Sequence, residues 1–93
     1  MKKDIHIRKN GTADDCDLDS KKNDEATWIN DGDLVRRVVF DRGSPFEKEE
    51  YIVRPGFPEF SGPITTMEKR SFHYDLEELA SKAPAADPHI IIH

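Results

Sequence analysis

The sequence is poor in cysteine, in leucine and in long apolar runs, and it has no excess of basic residues. One cysteine cannot form an internal disulfide. No apolar run approaches the roughly 18 residues that a membrane-spanning helix requires, and we expect no membrane insertion. The formal net charge of -5 does not supply the basic surface of a general nucleic-acid binder, and we expect no nucleic-acid partner.

The 93 residues, of 10.7 kDa, are enough for one domain, which we place at residues 1–93. Leu, Ile, Val and Phe make up 21 of the 93 residues, just above the range typical of disordered chains. Isoleucine and valine together outnumber leucine by 12 to 4. Because β-branched side chains suit strands better than helices, this composition predicts an all-β fold.

Short segments of alternating apolar and polar residues, separated by Gly, Pro, Asn and Asp, predict about seven short strands. The predicted strands are Ile5–Ile7, Ala26–Asn30, Leu34–Phe40, Tyr51–Val53, Phe72–Leu76 and His89–His93, with a weaker one at Cys16–Asp19. The pattern of the last strand indicates a central position and burial on both faces. Together these strands predict a small antiparallel sandwich or barrel.

Three segments have a less regular pattern. Residues 9–25 hold six acidic residues and predict an acidic, flexible loop or a weak edge strand. Residues 57–63 contain two prolines and predict a loop in which Phe57 and Phe60 are aromatic anchors. Residues 75–83 fit either the end of a strand or a short helical turn capped by Asp75.

The order of several motifs resembles the cupredoxin family. Ala26–Asp31 (ATWIND), followed by Val38–Asp41 (VVFD), is similar to that family's pattern V-T-W-x-N-x-D … H-x-V-x-F. Tyr51–Gly56 resembles its strand before a Pro-Gly turn, Phe72–Glu77 resembles its Y-x-Y-x-V strand, and Asp87–Ile92 resembles the D-P-x-I-I-V ending of copper-free members. The resemblance covers most of the chain from Ala26 onward. It implies a cupredoxin-like Greek-key antiparallel β-sandwich.

In the metal-binding members, the resemblance implies a type 1 copper centre made of two imidazoles, a thiolate and a weak axial group. Arg36 stands where the family's first histidine falls, and Leu76 stands where its cysteine falls. The loop that should carry the second histidine and the methionine is Leu79–Lys82 (LASK) here. Because an arginine brings a fixed positive charge to a ligand position, we expect no copper centre and no cofactor.

A metal bound through other ligands is the alternative that the sequence leaves open. His89 and His93 are four residues apart and would share one face of a strand, and neighbouring imidazoles bind zinc or copper(II). With His73 and Cys16, they are the ligands that a copper- or zinc-handling protein would use. The competing interpretation is that these histidines are outward-facing residues at strand ends.

A calcium loop is a further metal hypothesis that the spacing tests. Asp15, Asp17 and Asp19 form a D-x-D-x-D pattern. An EF-hand then requires glycine and a glutamate at positions that Ser20 and Ala26 occupy. The pattern therefore indicates a solvated acidic loop, with weak adventitious calcium binding as the alternative.

Catalytic patterns are missing from the sequence. Cys16 lies among aspartates, whose negative field disfavours the thiolate. No serine lies in a G-x-S-x-G elbow, and no P-loop or dinucleotide-binding glycine pattern occurs. The adjacent acid pairs Glu49–Glu50 and Glu77–Glu78 would point to opposite faces of a strand. We predict that the protein is not an enzyme.

Four residues are candidates for ligand contact: Arg36, Phe57, Phe60 and Leu79. Arg36, with Arg37, provides a positive spot suited to an acidic peptide or an anion, or else a charged strand edge. Phe57 and Phe60 cap the open end of a sandwich or form an exposed apolar patch for a partner. These residues predict a non-catalytic interaction module for an unknown protein or peptide.

The first residues, MKKDIHIRKNG, carry positive charges but no apolar segment behind them, unlike a signal peptide. If this is the full natural chain, we expect a cytoplasmic protein. If it is the mature part of a longer precursor, we expect a periplasmic one.

Overall fold

The computed structural model describes residues 1–78, the backbone of 81–84, and residues 88–93. These residues form an all-β fold with one short 3-10 helix, Ser20–Lys22. The strands are β1 (Lys2–Ile7), β2 (Cys16–Leu18), β3 (Glu25–Asn30), β4 (Arg36–Val39), β5 (Glu50–Val53), β6 (Glu59–Phe60), β7 (Ser71–His73), β8 (Asp75–Glu78), β9 (Ser81–Pro84) and β10 (His89–Ile92).

Sheet A contains β1, β3 and β6, in the order β1-β3-β6. β1 lies parallel to β3 with Ile5 opposite Trp28, and β6 is antiparallel on the other side of β3. Ile5 and Ile7 are buried while His6 between them is exposed, which is the alternation expected of a strand with one face on the core. β1 therefore presents an apolar face to the core and a polar face to solvent.

Sheets B and C are connected by a continuous stretch of chain. Sheet B has the order β2-β10-β7, with β10 parallel to β2 and antiparallel to β7. Sheet C has the order β5-β4-β8-β9, and its pairs are all antiparallel. The chain leaves β7 at His73, passes through the buried Tyr74 and enters β8 at Asp75. The single strand predicted at Phe72–Leu76 thus contributes residues to both sheet B and sheet C.

An aromatic cluster at the centre of the core joins the three sheets. Trp28 of sheet A is fully buried, and its indole Nε1 donates a hydrogen bond to Tyr74 Oη at 3.3 Å. Its ring centroid lies 4.8 Å from that of Tyr51, and Phe40 and Phe46 complete the cluster. Burial raises the pKa of Tyr51 to about 12 and raises that of Tyr74 as well. The sequence prediction that Trp28 is a core residue is confirmed.

Several predicted elements differ from the observed ones. More than the expected seven strands form: the predicted strand from Phe72 divides at Tyr74, β6 lies inside a segment predicted as a loop, and Ser81–Pro84 forms β9. The predicted strand Leu34–Phe40 shortens to β4, which begins only at Arg36. The helical interpretation of residues 75–83 is wrong for the part that the structure describes, because Asp75–Glu78 pairs with β4 as a strand.

The last strand is partly as expected. β10 lies between β2 and β7, so its central position is confirmed. Ile90 and Ile92 are buried, whereas His89 and Ile91 are half-buried, so only one face of β10 is in the core. Residues 9–25 hold the edge strand β2 and the 3-10 helix.

No helix among the described residues combines the length and the apolar composition that a membrane crossing demands.

Candidate functional site

The loop end is the end of the molecule made of residues 31–36 and 54–57, where β3 and β5 finish and β4 begins. Asn30, the buried last residue of β3, holds it together. The Asn30 amide donates hydrogen bonds to the Leu34 carbonyl at 2.7 Å and to the Val53 carbonyl at 3.0 Å. Its oxygen accepts a bond from the Gly32 amide at 2.9 Å. One side chain therefore fixes both segments of the loop end.

Arg36 lies inside the loop end rather than on its surface. Its side chain is only 4% exposed, and its guanidinium lies 3.3 Å from Glu78 Oε1 and 3.4 Å from the Lys9 carbonyl. Arg37, on the opposite face of β4, pairs with Glu77 at 3.6 Å. The charged-edge interpretation is wrong, because β4 has β5 on one side and β8 on the other.

The positions of the copper ligands implied by the resemblance are occupied by groups that do not bind copper. Arg36 carries a buried guanidinium, which donates hydrogen bonds and has no lone pair for a metal. Leu76 is fully buried on β8 opposite Val38. Leu79, the fourth contact candidate, lies outside the described residues. Arg36 and Leu76 do not fit a type 1 copper ion.

Phe57 and Phe60 are both on the surface. The exposed fractions of their side chains are 70% and 52%, so the prediction that they cap the sandwich is wrong. Phe57 belongs to the loop end, directly after the Pro55–Gly56 turn, whereas Phe60 lies on β6 with Lys2 Nζ 4.5 Å from its ring centroid. The two rings therefore belong to different parts of the surface.

Leu34 is an exposed apolar residue of the loop end that the sequence analysis assigned to a strand. Half of its side chain is exposed. The signal that could have identified it is the preceding Asp31-Gly32-Asp33 turn, which moves the start of β4 to Arg36. Leu34 and Phe57 are thus the two large apolar side chains that this end presents to solvent.

The histidines are distributed over three places on the surface. His6 Nδ1 lies 2.8 Å from Asp31 Oδ2, and His93 Nε2 lies 2.8 Å from Asp17 Oδ1. His73 and His89 are directly opposite each other on β7 and β10. Among the described residues, no group of three or more His, Cys, Asp or Glu side chains is arranged to hold a metal ion.

Cys16, on β2, is buried as part of the core cluster. Burial raises the pKa of its thiol above the ordinary value of 9.0, and the Asp17 and Asp24 charges act in the same direction against Lys3. The thiolate, which is the metal-binding form, is therefore disfavoured at Cys16.

The three aspartates of the D-x-D-x-D pattern each have a different partner. Asp15 accepts a hydrogen bond from the His89 amide at 2.9 Å, and Asp17 pairs with His93. Asp19 caps the 3-10 helix by accepting from the Lys21 amide at 2.9 Å. The carboxylates do not converge, which agrees with the failure of the EF-hand spacing.

Comparisons with known proteins yield no relative from which a role could be transferred. No family model matches the chain, and neither a curated protein nor a solved structure matches it. The chemistry of the loop end and of the histidines is therefore the basis for assigning a function.

Proposed function

We propose that this protein is a cupredoxin-like Greek-key sandwich without a copper centre. We further propose that it acts as a non-catalytic interaction module, which binds a protein or peptide through the loop end. The fold and the contact surface rest on separate observations.

The strand pairing supports the cupredoxin-like fold. Two parallel pairs, β1–β3 and β2–β10, lie among antiparallel ones, so the chain must cross between layers rather than form simple hairpins. Trp28 of sheet A packs against Tyr51 of β5, a strand of sheet C. It also packs against Tyr74, which links sheets B and C. This packing supports a sandwich with sheet A as one layer and sheets B and C as the other.

The Arg36–Glu78 pair supports the absence of a copper centre. The guanidinium lies in the interior with a carboxylate and a carbonyl as partners, so charge and hydrogen-bonding capacity are matched within the protein itself. A cation bound beside it would be repelled at short range. The loop end is thus suited to contact through its surface rather than through a bound ion.

The observation that carries the interaction proposal is the exposure of Phe57 and Leu34 at the loop end. Their exposed fractions of 70% and 50% leave two large apolar side chains in water at one end of the molecule. The Lys9–Asp33 ion pair, 3.4 Å between Nζ and Oδ2, lies at the same end and provides a polar border. Exposed apolar residues with polar surroundings are typical of protein contact sites.

The test is a partner search with a double variant and a matched control. Phe57→Ala with Leu34→Ala removes the apolar side chains of the loop end. Met67→Ala removes a side chain that is 95% exposed. Met67 lines a groove together with Glu25, which begins β3, whereas the loop end lies where β3 finishes. Each protein is cross-linked in an extract of its source cells, and recovered partners are then titrated against the pure proteins.

We expect the wild type and Met67→Ala to bind a recovered partner with the same affinity. The double variant should bind at least tenfold more weakly, because loss of an apolar anchor typically costs about 2 kcal/mol or more. In the wild type, the amide signals of residues 31–36 and 54–57 should shift on titration. Equal binding by all three proteins, with amide shifts elsewhere, would exclude the loop end as the contact surface.

A further inference from the structure

The solvated face of sheet B carries a row of three polar residues, one from each strand or its start. Asp15 immediately precedes β2, His89 begins β10 and His73 ends β7. Ile90, next to His89, points into the core, so the alternation of the strand places His89 on the outer face. The strand register makes Asp15, His89 and His73 neighbours across the sheet.

The backbone pairing brings the two histidines close together. The Tyr74 amide donates to the Pro88 carbonyl at 3.0 Å, which makes Tyr74 and Pro88 a hydrogen-bonded pair. Because such pairs alternate along an antiparallel ladder, the neighbouring pair His73–His89 is a non-hydrogen-bonded one, in which side chains approach most closely. The two ring centroids are 5.8 Å apart.

That separation suits two imidazoles that share one metal ion. With metal–nitrogen distances of about 2.0–2.1 Å, two coordinating imidazoles have centroids roughly 5–6 Å apart. The pair is therefore close to a chelating arrangement before any ion binds.

Asp15 provides the support that a metal-binding histidine usually has. Its Oδ1 accepts a hydrogen bond from the His89 amide at 2.9 Å and lies 3.5 Å from the His89 Nδ1 atom. A carboxylate beside Nδ1 favours the tautomer that carries its hydrogen there and leaves Nε2 as the ligand atom. Asp15 is thus a positioning residue for His89.

We propose that His73 and His89 form a binding site for a divalent transition-metal ion, such as Cu²⁺ or Zn²⁺, on the outer face of sheet B. Imidazole nitrogens prefer these ions over Mg²⁺ and Ca²⁺, which favour oxygen ligands. Two protein ligands leave the rest of the coordination shell to solvent, so the site exchanges its ion readily. It does not depend on the loop end, and it uses neither the Arg36 nor the Leu76 position.

The experiment is a titration of the full chain with Cu²⁺ alone and with Zn²⁺ alone, followed by calorimetry and by amide NMR. His73→Asn and His89→Asn each remove one proposed ligand. His6→Asn and His93→Asn are the matched controls, because both histidines are exposed and lie 2.8 Å from an aspartate. Mg²⁺ serves as the control ion.

We expect one ion per chain, with Cu²⁺ broadening centred on His73 and His89. Each ligand variant should weaken binding by about tenfold or more, the controls should bind like wild type, and Mg²⁺ should have no effect. An equal loss in a control variant, signals centred on Cys16 or the amino terminus, or one ion bridging two chains would overturn the proposal.

Asp15→Ala tests the positioning role separately, because it removes the oxygen that faces the His89 Nδ1 atom. We expect imidazole ¹⁵N spectra of the metal-free wild type to show hydrogen on Nδ1 of His89, and this preference to disappear in the variant together with a loss of metal affinity of about tenfold. An unchanged tautomer and unchanged affinity would remove Asp15 from the site. Thermal unfolding of each variant shows whether it is folded.

Discussion

At the scale of single residues, Asp24 shows how this acidic chain places a carboxylate in its interior. The residue is only 2% exposed, and its Oδ2 accepts a hydrogen bond from the Asp19 amide at 2.9 Å. Lys3 Nζ lies 3.8 Å from the same oxygen. The Asp19 hydrogen bond, supported by the Lys3 charge, lowers the pKa of Asp24 below its ordinary value of 3.8, against the opposite effect of burial.

Asp24 should therefore make stability depend on pH. Because its pKa is lower in the folded than in the unfolded protein, its contribution is fully present above the ordinary value of 3.8 and is lost as pH falls through the folded pKa. We expect Asp24→Asn to lower the Tm at pH 7 and to have a smaller effect at pH 3. Thermal unfolding monitored by circular dichroism measures both differences.

Asp33→Asn is the control for this prediction, since its carboxylate is 77% exposed and pairs with Lys9, which is 78% exposed. Exposed pairs of this kind contribute little to stability, so the Tm should change little at either pH. A constant effect of Asp24→Asn across the pH range would contradict the role assigned to its charge.

At the scale of elements, the loop end depends on Asn30. Its side chain makes three hydrogen bonds, to Leu34, Val53 and Gly32, and is 5% exposed. These bonds link the turn that follows β3 to the end of β5. A buried amide used in this way connects two loops more rigidly than a chain of exposed turns.

Replacing Asn30 should loosen the loop end. We expect Asn30→Ala to reduce the free energy of unfolding by about 2–4 kcal/mol, because it removes three hydrogen bonds between a buried side chain and the backbone. Hydrogen exchange should accelerate first in residues 31–35. Urea unfolding and exchange measurements check the two effects.

Asn10→Ala is the matched control, since Asn10 also bonds a loop, through the Thr12 amide and hydroxyl, but is exposed. Its loss should cost less than about 1 kcal/mol, because water replaces the lost partner. Equal decreases in the free energy of unfolding for both variants would show that the hydrogen bonds of Asn30 stabilise the protein no more than those of an exposed turn residue.

The whole molecule has one core to which all three sheets contribute. The buried cluster contains Ile7 and Trp28 from sheet A, Ile90 from sheet B and Val38 and Leu76 from sheet C. Sheets of so few strands have too little apolar area to be stable alone. Each sheet therefore depends on contact with the other two.

This shared core predicts cooperative unfolding. Trp28, the single tryptophan, reports through its fluorescence on the contact between sheet A and the other sheets, whereas far-ultraviolet circular dichroism reports on all strands. We expect the two urea transitions to coincide, as in a two-state domain. A fluorescence transition at lower urea than the dichroism transition would mean that sheet A separates first.

The amino-acid sequence by itself determined the class of the fold and much of the core. The excess of β-branched residues and the alternation around Ile5 and Tyr74 are local properties of the sequence, and each predicts a strand without knowledge of the neighbouring strands. The aromatic residue Trp28 was expected in the core for the same reason.

Only the tertiary structure decided which residues meet and which reach solvent. Arg36 was predicted to lie on the surface, but in the structure it is buried beside Glu78 and the Lys9 carbonyl. Phe57 was predicted to cap the sandwich, but it is exposed to solvent after the end of β5. His73 and His89 are 16 positions apart in the sequence, and their proximity follows from the register of β7 and β10. Register and burial depend on contacts between distant strands, and such contacts leave no periodic signal in either strand alone.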